Sequence, residues 1–492
     1  MSAPGSMDRS LAEPSPQVRR PFAHPKLPAQ RWTTDGARHV DYRKILALAL
    51  PLFLNSSVQA LLNLTDTWFI GRISTTATAA MGATYFLVLV FIIFAGGIGM
   101  GVQTLVAHAY GARRKHRAAA AVWAGIWAAS ATIPVFVLLA MGGKPLLQPF
   151  GLPAEIEALG CEYWFPRILG GPLAVAMWVV SGFFNGIGRS RVTLALSAGV
   201  AITNAALNAL FIFGLDMGIA GAAWATTASL ALGTAAGLAL FSTAGVDREY
   251  RSRLLWRPRR RAVARTMVFG LPMGLSVSMD LLALAVFQIM LSKLGPVDGA
   301  ATQIAMMLTS LCYMPAVGLG LAGTTLVGQS IGAGDKEWAR ALGNATIRLT
   351  FGYMGLTGVA LAATGPWLMP LFITQTDPDA AAVVQLGVTL LWLAACYQGF
   401  DGLNIGASFC LRGAGDARVP AILVLGLAWG LYLPLAHSLT FAPGEGWIGA
   451  LPQYGLGAVG GWCAAVAYVM ALGTALWWRW RSGAWQHLAV LR

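Results

Sequence analysis

LVAHAYGARRKHRAAA, running from Leu105 to Ala120, returns 221 residues later as LVGQSIGAGDKEWARA, from Leu326 to Ala341. Pro51 and Pro272 keep the same offset. Further on, NGIGRSRV from Asn185 reappears as RGAGDARV from Arg412, now 227 residues apart, which implies one short insertion in the second copy. The chain therefore contains itself twice. Residues 45–242 form one half, residues 266–480 the other, and the arginine-rich stretch 243–265 joins them.

Composition says what each copy is made of. Of 492 residues 57% are apolar and 11% are charged, against about 25% charged in an ordinary soluble domain. Mean hydropathy is +0.63. A soluble globule this apolar could not cover its surface, and disorder needs low hydrophobicity. The 58 glycines follow no three-residue period, and the five cysteines form no CxxC pair. Collagen, a disulfide scaffold and a zinc site are therefore set aside. Twelve nearly charge-free runs, from 45–71 to 446–478, each exceed the roughly 20 residues a helix needs to cross the hydrocarbon core. The ten-residue alternation of a membrane β-barrel is missing. The sequence predicts an all-α polytopic membrane protein with twelve transmembrane helices in two parallel six-helix repeats.

Lysine and arginine orient it. With the N-terminus inside, the inner connections hold 29 of them and the outer ones 3, namely Arg72, Lys144 and Lys293. Positive residues mark the cytoplasmic side, so both termini are expected in the cytoplasm. This asymmetry accounts for the net charge of +14 without a nucleic-acid partner. Residues 1–44 lack the apolar core of a signal peptide and read as a disordered cytoplasmic tail. Residues 481–492 read as a second tail. Parallel repeats in one chain are typical of secondary transporters, which place substrate between the halves. The glycine runs Gly96–Gly101 and Gly318–Thr325 sit at matching places and read as close helix packing.

Asp66, Asp280 and Asp401 stand well inside spans. Each costs about 2.5–3.5 kcal/mol at a helix centre on insertion scales. Such a group persists where it is solvated, paired or protonated. One account is a structural ion pair, for which Arg167 and Arg348 are the intramembrane candidates. The other is exchange of H⁺ or Na⁺ against a cationic guest. Tyr397 and Asp401 are spaced i, i+4 and share a helix face. The phenol there could stack on an organic cation or donate to the carboxylate. Asn204 and Asn208 repeat that spacing, and their amide oxygens suit either Na⁺ or an interhelical hydrogen bond.

Six motifs in order extend this reading. They are LTDTWFIGR (Leu64–Arg72), LVAHAYGA (Leu105–Ala112), NAALNALFIFG (Asn204–Gly214), FGLPMGLSVSMD (Phe269–Asp280), LVGQSIGAGD (Leu326–Asp335) and YQGFDGLNIGASFCLRGAGD (Tyr397–Asp416). From Tyr42 to Trp480 the chain resembles the multidrug and toxic compound extrusion (MATE) transporters, in their NorM-like branch. The resemblance implies two six-helix lobes around a V-shaped central cavity. It implies efflux of amphipathic, mostly cationic organic compounds across the cell inner membrane, in exchange for Na⁺ or H⁺. Neither a cofactor nor catalysis is implied, and a monomer is expected. Na⁺ would sit at Asp280, Asp401 and Tyr397, or at Asp66, Asn204 and Asn208, with Thr226 as a further ligand. Asp280 stands where the NorM-like branch usually has glutamate, one methylene longer. Two other readings share the architecture or the acids: a lipid-linked sugar flippase of the same superfamily, and an intramembrane aspartate enzyme.

Overall fold

The computed structural model describes residues 27–34, 37–373 and 378–488. Twelve spans cross it in sequence. They are α1 (Tyr42–Gly71), α2 (Thr75–Gly111), α3 (Lys115–Met141), α4 (Ala154–Leu169 with Gly171–Gly186), α5 (Ser190–Gly214) and α6 (Gly218–Phe241), then α7 (Arg260–Leu294), α8 (Pro296–Gly332), α9 (Lys336–Phe372), α10 (Ala380–Ala414), α11 (Arg418–Thr440) and α12 (Gly457–Arg481). Eleven are continuous, and α4 is bent by 41° at Gly170, with Pro172 in the first turn of its second half. Several helices run past the charge-free limits. The ninth starts at Lys336 rather than 349, because Asp335 caps it by accepting from the Trp338 amide at 2.8 Å. A side-chain oxygen on an early amide is worth about 1 kcal/mol at a helix start. Ser74 serves α2 in the same way, at 2.9 Å from Ala77 N.

Each half has its own apolar core. In the first, Ile98, Val102, Val175, Val179 and Phe183 are buried together. In the second, Leu390, Leu411, Ala436, Trp462 and Leu472 are. The two repeats thus centre on separate cores as lobes α1–α6 and α7–α12, and they share packing where Ala49 and Leu52 of α1 are buried with Leu319 and Ala322 of α8. The repeat-related helices α5 and α11 each carry a π-helical turn, Ala209–Gly214 and Ala428–Tyr432.

The lobes meet at the end of the molecule where α1 begins and α12 ends. Glycine makes the approach possible. A Cβ on Gly97 of α2 would lie 2.3 Å from the Gly274 nitrogen of α7, and one on Gly332 of α8 would lie 2.1 Å from the His108 carbonyl of α2. The hydrogen bonds there obey the repeat. Thr104 Oγ1 donates to Arg412 O at 3.1 Å, and its counterpart Thr325 Oγ1 donates to Asn185 O at 3.1 Å. His108 Nε2 pairs with Gly413 O at 2.7 Å, and its counterpart Gln329 Nε2 donates to Gly186 O at 2.8 Å. Gly413 O can only accept, so His108 Nε2 carries the hydrogen. Residues 185–186 and 412–413 are themselves repeat partners. The result is a reciprocal seal with approximate two-fold symmetry. Each lobe inserts a threonine and a longer polar side chain against the last helical turn of the other. From this seal the lobes diverge as a V.

One segment differs from the sequence reading. Disorder was expected up to residue 44, yet Gln30–Trp32 pairs antiparallel with Arg38–Val40 and Asp41 caps α1. This hairpin rests on the second lobe. Arg38 meets Asp335 at 2.8 Å, the Trp338 indole donates to Pro28 O at 2.9 Å, and Ala29 and Ile45 pack with Leu326, Trp338 and Leu342. The order comes from contacts with residues some 300 positions away, which no local signal announces. The remainder of the expected tail, residues 1–26, lies outside the described residues.

Candidate functional site

Asp66 lies about one turn and a half before the C-terminal end of α1, the end away from the seal. It is 6% exposed, and Asn204 and Asn208 are fully buried beside it. Asn208 Nδ2 donates to Asp66 Oδ1 at 2.6 Å, and Thr226 Oγ1 of α6 donates to Asp66 Oδ2 at 3.0 Å. Asn204 closes the ring. Its Nδ2 donates to Thr226 Oγ1 at 3.2 Å, and its Oδ1 accepts from Asn208 at 3.2 Å. The structure thus joins the four residues that sequence and resemblance singled out in the first lobe. Asn208 Oδ1 is left buried without a donor. An orphaned buried acceptor costs about 1–3 kcal/mol, and here it stands among carboxylate, amide and hydroxyl oxygens, a hard-oxygen donor set. The α5 π turn starts directly after Asn208, at Ala209, and such turns are frequent at functional sites.

The second lobe holds the other two acids on different helices. Asp280 projects from α7 and Asp401 from α10, within electrostatic reach of one another. Tyr468 of α12 donates to Asp280 Oδ1 at 2.6 Å, and Asn404 Nδ2 donates to Asp401 Oδ1 at 3.1 Å. Tyr397 is one turn from Asp401, but its ring lies against Trp462, centroids 6.4 Å apart. The tyrosine that hydrogen-bonds an acid in this lobe is therefore Tyr468, which also stacks on Tyr432 at 4.8 Å. Aromatic faces around a carboxylate pair suit an organic cation, since the ring quadrupole attracts positive charge.

The alternative of a structural ion pair finds no support in the geometry. Among the described residues none of Asp66, Asp280 and Asp401 is ion-paired. Arg348 is exposed on α9. Arg167 is within electrostatic reach of Asp66, yet its Nη1 is buried without a hydrogen-bond partner. Sequence reasoning missed a third cation. Arg412 looked like a cytoplasmic loop residue, but it sits in the last turn of α10 and is only 7% exposed. Its Nη2 is 3.4 Å from Ser276 Oγ, one turn below Asp280, and the guanidinium lies 4.9 Å from the centre of the Phe409 ring. Its carbonyl is the one that accepts Thr104 in the seal. Arg412 therefore stands between Asp280 and the lobe junction. The spacing of Asn404, three residues after Asp401, was legible as a shared face. Tyr468 and Arg412 carried no such signal, because their partners lie on other helices.

Duplicated lobes, a seal at one end and buried acids held by neutral donors are the layout of a membrane transporter rather than an enzyme. The MatE family model matches the chain twice, at residues 51–210 and 272–437, and the two matches start 221 residues apart. The chain belongs to the MatE family. It is 31% identical over 458 residues to "Probable multidrug resistance protein NorM" of Brucella suis biovar 1, covering 90% of this chain and 93% of that one. It is 32% identical over 439 residues to a protein of the same name from Pseudomonas putida, covering 87% and 93%. The fold matches a solved structure of MATE in the straight conformation with a TM-score of 0.77 at 21% identity, over 90% of this chain and 96% of that one.

Proposed function

We propose that this protein is a secondary antiporter of the inner membrane, with cytoplasmic termini, that exports amphipathic, mostly cationic organic compounds in exchange for H⁺ or Na⁺. The observation that carries this reading is that three intramembrane carboxylates are held by hydroxyl and amide donors instead of arginine or lysine. A carboxylate left with one negative charge in a low-dielectric setting attracts any small or organic cation that can reach it. The names of its relatives, multidrug resistance proteins, support the organic half of that statement.

In the cycle, the ion and the organic cation compete for the acids. Ion binding at Asp280 and Asp401, or at Asp66, lowers affinity for the drug while the V is open and releases it outward. Drug loading from the other side displaces the ion. Differential affinity for two conformations is the sole means by which a ligand can shift them, so the acids must sense the state of the seal. Arg412, with its side chain below Asp280 and its carbonyl in the seal, is placed for that role.

Ethidium efflux from inverted vesicles, under separately imposed Na⁺ and pH gradients, tests the reading. One gradient should drive efflux, and Asp401→Asn should abolish the driven component with expression intact. Undiminished gradient-driven efflux in that variant would remove Asp401 from the mechanism, and Asp66→Asn applies the same test to the first lobe.

A further inference from the structure

Beside the seal, on the face where α1 begins and α12 ends, lie two adjoining cavities of about 350 and 390 Å³. They share Leu105 of α2 and Arg265 of α7. Arg117 of α3 and Arg259, just before α7, complete the basic lining of the first, and Arg418 of α11 and Arg479 of α12 that of the second. The one acid on either wall is Asp416, which Arg479 already engages at 2.8 Å. The remaining walls are alanine, valine, leucine and phenylalanine with a single threonine and a single glycine. Guanidinium groups thus ring an apolar hollow.

The lining is graded along the helices. Arg117 stands in the first turn of α3 and Arg259 just before α7, whereas Ala120, Ala121 and Ala124 of the one and Val268 and Phe269 of the other lie further along the same helices. Basic side chains at a helix end with apolar ones deeper match a headgroup layer above an acyl layer.

We infer that the joined cavities bind the phosphate headgroup of an anionic phospholipid from the leaflet on the terminal side. Arginine forks match phosphate oxygens in pairs, the apolar walls take the upper acyl chain, and basic pockets between helices on this side are suited to such lipids. The site touches the first lobe through Leu105 and Arg117 and the second through Arg418 and Arg479. A lipid seated there bridges the lobes next to the seal, so it binds the sealed state better and holds the molecule in it.

The experiment uses the full-length chain in detergent, titrated with dioleoyl phosphatidylglycerol, dioleoyl phosphatidylcholine or inorganic phosphate, with the thermal unfolding midpoint as readout. Phosphatidylglycerol should raise the midpoint, and the other two should not. Arg259→Gln and Arg418→Gln should each weaken the apparent phosphatidylglycerol affinity about fivefold. A control with Arg43→Gln and Arg191→Gln, which removes positive charge from the same face away from the cavities, should leave it unchanged. Equal responses to the two lipids, or equal weakening in the control, overturn the proposal. A matching response to inorganic phosphate also overturns it, in favour of a soluble anion. If the cavity variants do not fold, native mass spectrometry of the unaltered chain in an equimolar lipid mixture decides. Preferential retention of phosphatidylglycerol upholds the site, and equal retention refutes it.

Discussion

Replacing Thr104 and Thr325 together with valine should loosen the seal by a calculable amount. Valine keeps the shape of threonine and removes one hydroxyl from each lobe. Neither carbonyl is left bare, since Arg412 O still accepts from Gly415 N at 3.0 Å and Asn185 O from Gly188 N at 2.9 Å. Gln103, which also donates to Thr325 Oγ1 at 3.1 Å, keeps Leu321 O at 3.3 Å. The loss is therefore that of the net hydrogen bond, about 1 kcal/mol each and about 2 kcal/mol for both. Because 1.4 kcal/mol is a factor of ten, this favours the separated state about 30-fold. A separated population of about 1% would rise to roughly a quarter. Spin labels at Arg191→Cys and Glu337→Cys, both exposed and on opposite lobes at the sealed end, report the separation by double electron–electron resonance. Cys161, Cys312, Cys396, Cys410 and Cys463 must be replaced first. A distance distribution identical to that of the parent, in a folded double variant, would refute the idea that these hydroxyls hold the lobes together.

Other perturbations test neighbouring parts of the argument. Gly97→Leu should prevent α2 from docking on α7, because even its Cβ would meet the Gly274 nitrogen at 2.3 Å, and overpacking costs about 1–3 kcal/mol. The same spin labels should then report a larger separated population, and a parent-like distribution would count against the contact. Asn208→Ala removes the 2.6 Å donor from Asp66 and should lower stability by about 1.5–3 kcal/mol, the worth of a hydrogen bond to a charged group. In the Asp66→Asn background the same change should cost less, and strict additivity in thermal unfolding would argue that the two side chains do not interact. On the N-terminal hairpin, Arg38→Ala should shift stability by less than about 1 kcal/mol, since the pair it makes with Asp335 is solvent-exposed. Trp338→Ala, at a site 5% exposed, should cost about 3–5 kcal/mol. Equal effects of the two would contradict the packing described.

The number of spans, the duplication and the three costly acids were legible along the chain, because these follow from local hydropathy and from self-similarity. It was legible too that Asn204 and Asn208, or Tyr397 and Asp401, share a helix face, because a helix fixes the direction of residues four apart. Tertiary structure decided which of those faces meet. It joined Asp66 to Asn208 and Thr226 across three helices, gave Asp280 a hydrogen bond from Tyr468 of another helix, laid the Tyr397 ring against Trp462 while Asn404 donates to Asp401, and drew Arg412 out of an expected loop into the lobe junction. The hairpin at Gln30–Trp32 belongs to the same class, being ordered by Asp335 and Trp338. Helix direction is written in neighbouring residues, whereas contact between helices depends on crossing geometry and close backbone approach. A single sequence holds no local record of which distant surface its side chains will meet.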